Sequence, residues 1–388
     1  MRRVLIFSLA YYPHVGGAEV ALKEITDRIT DIEFHMVTML FSADEPRKEK
    51  IGNVFVHRIG NGSGKLNKFL FQFLAARKAA SLHRQYRFGG ILAMMAHSSG
   101  VPAALFKMFH ADVPYLLSLQ EGDPPEYIER LMRPLWPLFK RGFTTADTVA
   151  AESTFLGRWA RRMGFAGPLE VIPNGMDAAR FTRTPTEAEL GAIRAKIGKK
   201  EGETWLIHTG RLVHKNALDM VIRAMPSLPQ SVHFFMLGDG PDKNALAELA
   251  NTLNVSARVH FHPYVPLADI PNYLKACNIF IRPSRSEGMG NSFIEAMAAG
   301  LPVIATQEGG IADFLFDAKR NPDKETTGWA VDKDSPEQIV GAVQDILAHS
   351  ERVKQVTATA KKMVVEKYDW NLIAGTMQTV FDTLFKNR

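Results

Sequence analysis

At 388 residues, with 46% hydrophobic and 23% charged side chains, the chain has the balance of a globular protein long enough for two α/β domains. Its single cysteine, Cys277, excludes an internal disulfide and favours a reducing compartment, and no apolar run reaches the about 18 residues of a membrane-spanning helix. The net charge is +6, and the excess lies in residues 1–180, which carry 23 Lys and Arg against 17 Asp and Glu; residues 51–111 hold eight basic residues and no acidic one, a pattern that implies an anionic partner.

In chain order, apolar runs predict strands at 3–9, 33–39, 54–59, 90–95, 114–119, 147–151 and 169–172. Amphipathic segments predict helices at 18–29, 66–87, 99–109, 125–141 and 153–163. The opening MRRVLIF reads as the first strand rather than an export signal, because the run is short and ends in polar and glycine residues without a small-residue cleavage site. Residues 173–185 (PNGMDAARFTRTP) read as a linker punctuated by Pro173, the Asn174–Gly175 turn and Pro185. The pattern then restarts, with strands at 204–208, 231–237, 258–261, 277–281 and 302–306. Helices follow at 214–226, 241–253, 267–275, 291–300, 336–349, 351–366 and 370–386. Alternation of this kind predicts two parallel sheets, each covered by helices on both faces.

The most informative stretch is 282–306, RPSRSEGMGNSFIEAMAAGLPVIAT. Glu287 and Glu295 flank a glycine loop and the start of a helix. Gly288 and Gly290 remove side chains where a ligand can approach the backbone, with Met289 between them. Asn291 or Ser292 is expected to cap the helix, leaving first-turn N–H groups for a phosphate. Two carboxylates repel phosphate but accept hydrogen bonds from sugar hydroxyls. Anion-binding backbone plus hydroxyl acceptors is what a nucleotide sugar requires.

Other motifs follow strand ends. Gly16 and Gly17 form a diglycine turn into the first helix, an anion-approach geometry or a plain strand-to-helix turn. Gly210, Arg211 and Lys215 put two cations four residues apart after a strand, where they could grip a diphosphate. Gly238 and Gly240 lack the third glycine of a dinucleotide fingerprint, since Lys243 stands there. The loop Gly60–Lys65 falls one residue short of a Walker A motif, with Leu66 in the hydroxyl position. No DxD triplet or metal-ligand spacing of histidines occurs, so no metal site is expected.

These motifs together, running from Gly16 to about Gly328, resemble retaining glycosyltransferase family 4. The Glu287–Glu295 spacing with AMAAGLPVIAT is similar to its donor-site signature, Gly210–Arg211 with Lys215 to its GR…K element, Gly238–Pro241 to its G-x-G-P turn, and Gly309–Gly310–Ile311 to its GG turn. The resemblance implies a GT-B fold, with two Rossmann-like domains facing a central cleft and a C-terminal helix crossing back to the first. The expected domains are 1–175 with about 370–388 on the acceptor side, and 183–369 for the nucleotide sugar.

It further implies metal-independent hexosyl transfer from a UDP- or GDP-sugar to a glycan or lipid-linked acceptor, with no cofactor. Arg211 and Lys215 would hold the diphosphate, Glu287 the sugar, Glu295 the ribose, and the backbone of Gly16, Gly17, Gly210, Gly288, Met289, Gly290, Asn291 and Ser292 would line the donor. Asn216 replaces the glycine usual after the lysine, and Asn tolerates a left-handed backbone. A His usual at the end of the fifth strand is missing; Gln120 stands in its place, or His97 supplies the group, with Glu121 and Asp123 nearby. The alternatives are a GT-B epimerase or phosphorylase, or a silent sugar-nucleotide sensor.

Within the acid-free block, Leu66, Phe69, Leu70, Phe73 and Leu74 fall at helical spacing between basic flanks. This fits a helix lying on an anionic membrane surface, which would make the protein cytoplasmic and peripheral at the inner face. It equally fits an ordinary core-facing helix with a solvated basic face. No nucleic-acid module accompanies the charge.

Overall fold

The computed structural model describes residues 2–62 and 64–386. Met1, Asn387 and Arg388, at the ends of the expected first domain, and Ser63 of the Walker-like loop lie outside the described residues. The chain divides into two compact units, Met1–Asn174 with Trp370–Arg388, and Gly175–Asp369.

The first unit holds β1 (Arg2–Phe7), β2 (Ile32–Met39), β3 (Lys48–Ile51), β4 (Val54–Ile59), β5 (Gly90–Met94), β6 (Tyr115–Leu119), β7 (Thr148–Ala151) and β8 (Leu169–Val171) in the order β3-β4-β2-β1-β5-β6-β7-β8. All pairs are parallel except β3 with β4. The charged edge strand β3 (KEKI) is not among the predicted strands, because its burial alternates only weakly and it has no apolar run. The central strands β5 and β6 are buried at every position, as a sheet covered on both faces demands.

The helices of this unit are α1 (Gly17–Arg28), α2 (Lys65–Tyr86), α3 (Val101–Lys107), α4 (Pro125–Leu131), α5 (Trp136–Thr144) and α6 (Thr154–Arg162). The expected helix 125–141 is broken because Pro134 and Pro137 lack the N–H an uninterrupted ladder needs. The C-terminal helix, Trp370–Lys386, packs beside α1, burying Ile373, Met377, Phe381 and Leu384 in one core with Ile6, Leu22 and Phe34.

The second unit opens with α7 (Ala178–Thr182), inside the expected linker 173–185, and α8 (Glu187–Ile197), just after it, neither of them among the predicted helices. Met176 and Phe181 are buried in this unit's core, so the segment is anchored and not a free connector. The capping box Thr186–Glu189 that starts α8 was legible as T-x-x-E. Strands β9 (Thr204–Thr209), β10 (Val232–Leu237), β11 (Val259–His262), β12 (Ile279–Arg282), β13 (Val303–Ala305) and β14 (Trp329–Ala330) run parallel in the order β11-β10-β9-β12-β13-β14. Helices α9 (Leu218–Ala224), α10 (Lys243–Thr252), α11 (Ile270–Ala276), α12 (Asn291–Ala298), α13 (Pro336–Ala348), α14 (Ser350–Lys367) and α15, the C-terminal helix named above, complete the chain. Cys277 is buried in the second core.

In each sheet the strand order reverses once, between β1 and β5 and between β9 and β12. Loops leaving the carboxyl ends of such neighbours diverge to opposite faces and open a crevice, where doubly wound sheets bind ligands. No helix among the described residues is long and apolar enough to cross a membrane.

Candidate functional site

In the second unit the two richest motifs leave adjacent strands at the reversal. Gly210–Lys215 follows β9, and 283–290 follows β12; the strands pair through Ile279 with Leu206 and Phe280 with Ile207. The first loop is held from below by the glycines of GDGP. The Gly210 N–H donates to Leu237 O (3.0 Å), the Leu212 N–H to Asp239 O (2.9 Å). A Cβ on Gly238 would fall 2.0 Å from Gly210 O, and one on Gly240 would fall 2.2 Å from Leu212 O. These glycines exist for backbone-on-backbone contact, which gives GDGP a structural purpose.

Asn216 does not adopt the left-handed conformation; Ala217 does, at φ +54. Asn216 instead closes the loop, donating its amide to Arg211 O (2.6 Å). A residue absent from the sequence expectation supports the other side. The Arg285 backbone N–H donates to Lys215 O (2.7 Å), while its guanidinium forks onto Asp219 (2.8 and 3.0 Å) and reaches Asp334 (2.6 Å). Arg211 is exposed and Lys215 half-buried. The loop therefore presents two cations on a braced backbone.

The second loop corrects the expected cap. Gly290, at φ +88, caps α12, and Asn291 and Ser292 are its first helical residues, with no side-chain cap bond. A side chain at 290 would collide with the Arg282 guanidinium and the Phe293 ring, each 2.6 Å from an added Cβ. Met289 points into the core, leaving only its backbone for a ligand. Glu287 is partly buried and accepts from Arg282 Nη2 at 3.0 Å. Its carbonyl takes the Gly310 N–H (3.1 Å). Gly309, at φ +62, lies so close that a Cβ there would come 1.8 Å from that same oxygen. Gly309→Ala is therefore expected to destabilise the fold by about 2 kcal/mol or more, read by chemical denaturation. Unchanged stability would mean that the GG turn does not pin Glu287.

Glu295 is also partly buried, and desolvation pushes its carboxyl up to about 7 against the pull of Arg282 and Arg180. At the end of β9, His208 is fully buried, its ring against the Gly210 backbone. Burial and the nearby Arg282 charge push it down to about 3, so it is neutral. Arg282 and His208 escaped sequence reasoning. The available signal was an arginine prolonging the apolar run IFI of a buried strand.

In the first unit, the loops after β1, β5 and β6 carry the expected group. The Gly16 N–H is already engaged by Glu19 (2.7 Å), a nearly buried carboxylate in the first turn of α1. That charge disfavours phosphate at this helix start, so the diglycine turn is no bare anion site. A Cβ on Gly17 would meet nothing within 4 Å among the described residues, so this glycine faces open space.

Glu121 is buried, and its oxygens accept from the Ala96 N–H (2.5 Å), the His97 N–H (3.4 Å) and the Gln120 N–H (3.0 Å). Buried on these backbone donors, it holds the loop that presents His97. Gln120 is locked in a reciprocal amide pair with Asn174 (2.9 and 3.2 Å), which also donates to Glu152 (2.8 Å). Of the two stand-ins for the missing His, His97 keeps an accessible ring, 28% exposed, with Nδ1 3.5 Å from Glu121.

Residues 191–363 match the family described as Glycosyl transferases group 1, and residues 15–180 match Glycosyltransferase Family 4. The GDP-mannose-dependent alpha-(1-6)-phosphatidylinositol monomannoside mannosyltransferase of Mycolicibacterium smegmatis is 29% identical over 58% of this chain and 59% of its own length. The alpha-monoglucosyldiacylglycerol synthase of Streptococcus pneumoniae is 26% identical over 78% and 70%. The match thus spans under two thirds of the mycobacterial enzyme. Sucrose-phosphate synthase from Thermosynechococcus elongatus superposes with a TM-score of 0.85 at 19% identity, covering 100% of both chains. Anabaena HepE, solved with UDP-glucose, superposes with a TM-score of 0.81 at 19% identity over 99% of this chain and 100% of that one. At such identities the two structures bear on the fold alone.

Proposed function

Because the chain belongs to the group 1, family 4 glycosyltransferases and has their GT-B fold, we propose that it transfers a hexosyl group from a nucleoside-diphosphate sugar, with retention and without a metal. One observation carries this reading. Two partly buried carboxylates, a glycine loop at a helix start and a braced Arg–Lys pair all leave neighbouring strands at the reversal of one sheet. Glu287 would accept from sugar hydroxyls and Glu295 from the ribose. Arg211 and Lys215 would meet the diphosphate with the 288–292 backbone. Negative charge grows on the leaving diphosphate as the glycosidic bond breaks, so fixed cations there favour the transition state over the ground state.

The test is thermal shift against UDP, GDP, ADP and their sugars. A ligand that binds the native state raises the melting temperature with concentration. A shift from one nucleotide family supports the reading, and no shift with any of them sinks it. NMR of the product anomer checks retention.

For the acceptor, the lipid acted on in the mycobacterial relative's name and the glycolipid made in the pneumococcal relative's name support a lipid-linked molecule. The surface of α2 supports it independently. Its core contacts come from Phe71, Ala75, Ala79 and Leu82. Leu66, Phe69, Leu70, Phe73 and Leu74 form a separate stripe, 39–69% exposed, so the core-facing reading fails for these five. Exposed Lys65, Lys68 and Arg77 border it. An apolar stripe on a helix whose charged residues are all basic fits an anionic bilayer surface, each cation near it adding about 1 kcal/mol. The protein is expected to co-sediment with phosphatidylglycerol vesicles and not with phosphatidylcholine ones, and Phe69→Asp with Phe73→Asp should abolish this without lowering the melting temperature. Failure of the wild type to bind at low salt, or self-association that hides the stripe, would overturn it.

A further inference from the structure

Arg282 is the most deeply buried cation near the donor loops, at 7% exposure, and no role was read for it in the sequence. Its surroundings are specific. Nη2 holds Glu287 at 3.0 Å, and the guanidinium lies over the Phe293 ring at 4.1 Å from its centre. Nη2 would sit 2.6 Å from a Cβ on Gly290, and Nη1 would sit 3.6 Å from one on Gly210. One guanidinium therefore underlies both ligand-facing loops, and both glycines leave space over it. Nε finds no hydrogen-bond partner among the described residues. A buried cation with an unsatisfied N–H is costly, and the Glu287 pair offsets only part of that cost. Such an arrangement is unfavourable for stability alone and points to a use in the site.

We propose that Arg282 is a positioning residue for the donor sugar: it fixes the Glu287 carboxylate through Oε2 and leaves Oε1 to receive sugar hydroxyls. This rests on the reading of 282–295 as the donor site. The planar fork matters, because it makes its ion pair while stacked on Phe293, a geometry a flexible ammonium does not reproduce. The charge also acts on Glu295, which it holds toward the ionised form together with Arg180.

The experiment compares binding of the nucleoside diphosphate and of its sugar by calorimetry, using whichever base binds the wild type. The difference between the two affinities is the sugar's own contribution. Arg282→Met and Glu287→Gln are each expected to reduce that contribution about tenfold or more, with a much smaller effect on the bare diphosphate. The double variant should lose no more than either single one, because both remove one unit. Arg282→Lys should restore only part of the loss. Additive losses, or an Arg282→Met protein that keeps the full sugar contribution, would overturn the proposal. Should the Met variant fail to fold, Arg282→Lys combined with Glu287→Gln gives the same cycle, and additivity there overturns it equally. A wild type that binds no sugar nucleotide overturns the donor site itself; normal wild-type binding with an unaltered variant overturns only the role of Arg282.

Discussion

Replacing Arg211 or Lys215 by alanine is expected to lower turnover on the order of 10²–10³-fold, with a smaller change in the concentration of donor needed for half-saturation. The reason is where the charge develops. In the ground state the diphosphate already carries negative charge that water could solvate. As the sugar departs, further charge accumulates on the leaving oxygen, and only cations held in place meet it without rearrangement. The bracing of the loop would serve that role. Asn216 clasps Arg211 O, Arg285 clasps Lys215 O, and two glycines let 238–240 press against 210–212. Arg211→Lys should recover only a fraction, because one ammonium cannot fork onto two phosphate oxygens. Donor transfer, or donor hydrolysis where no acceptor is supplied, is the readout. Equal rates in wild type and Arg211→Ala would remove this loop from the mechanism.

Donor affinity is expected to rise about tenfold per pH unit as pH climbs toward 7, then level off. Burial pushes the Glu295 carboxyl up to about 7, with Arg282 and Arg180 opposing. Below that pH the group is protonated and accepts poorly from ribose hydroxyls; above it, both oxygens accept. The sign for folding is opposite. A carboxyl raised above its unfolded value lends most stability below the ordinary glutamate range, and loses it as pH rises through about 7. Ribose hydroxyls would offset that loss by solvating the ion. Glu295→Gln should bind the donor weakly at every pH and show no slope here. A slope surviving in that variant would assign the titration to another group, and a flat wild-type profile would mean that the donor does not meet Glu295.

Much of this was written in local patterns. Strand β9 and the turn after it, or β12 with its glycine loop, have period, punctuation and charge that a short window reveals. The edge strand β3 and the helices α7 and α8 were missed, because β3 has no apolar run, α7 is a single short turn, and the apolar residues of α8 line up on no one face. The same limit governs the site. Glu121 and Gln120 looked like ligand contacts, since polar residues beyond a strand end usually meet solvent. The fold supplied them partners from residues 25 and 54 positions away, Ala96 and Asn174.

By itself, the order of amino acids determined the two-sheet α/β architecture, the family and the placing of two glycine-bearing loops after strand ends, because hydrophobic period and glycine placement act over a few residues. Tertiary structure alone decided which of those groups still face outward. It turned Met289 inward, engaged Glu121 and Gln120, left the α2 stripe uncovered and set Arg282 beneath Glu287. The physical reason is that accessibility, desolvation and ion pairing depend on atoms brought close through space, and no window of sequence contains them.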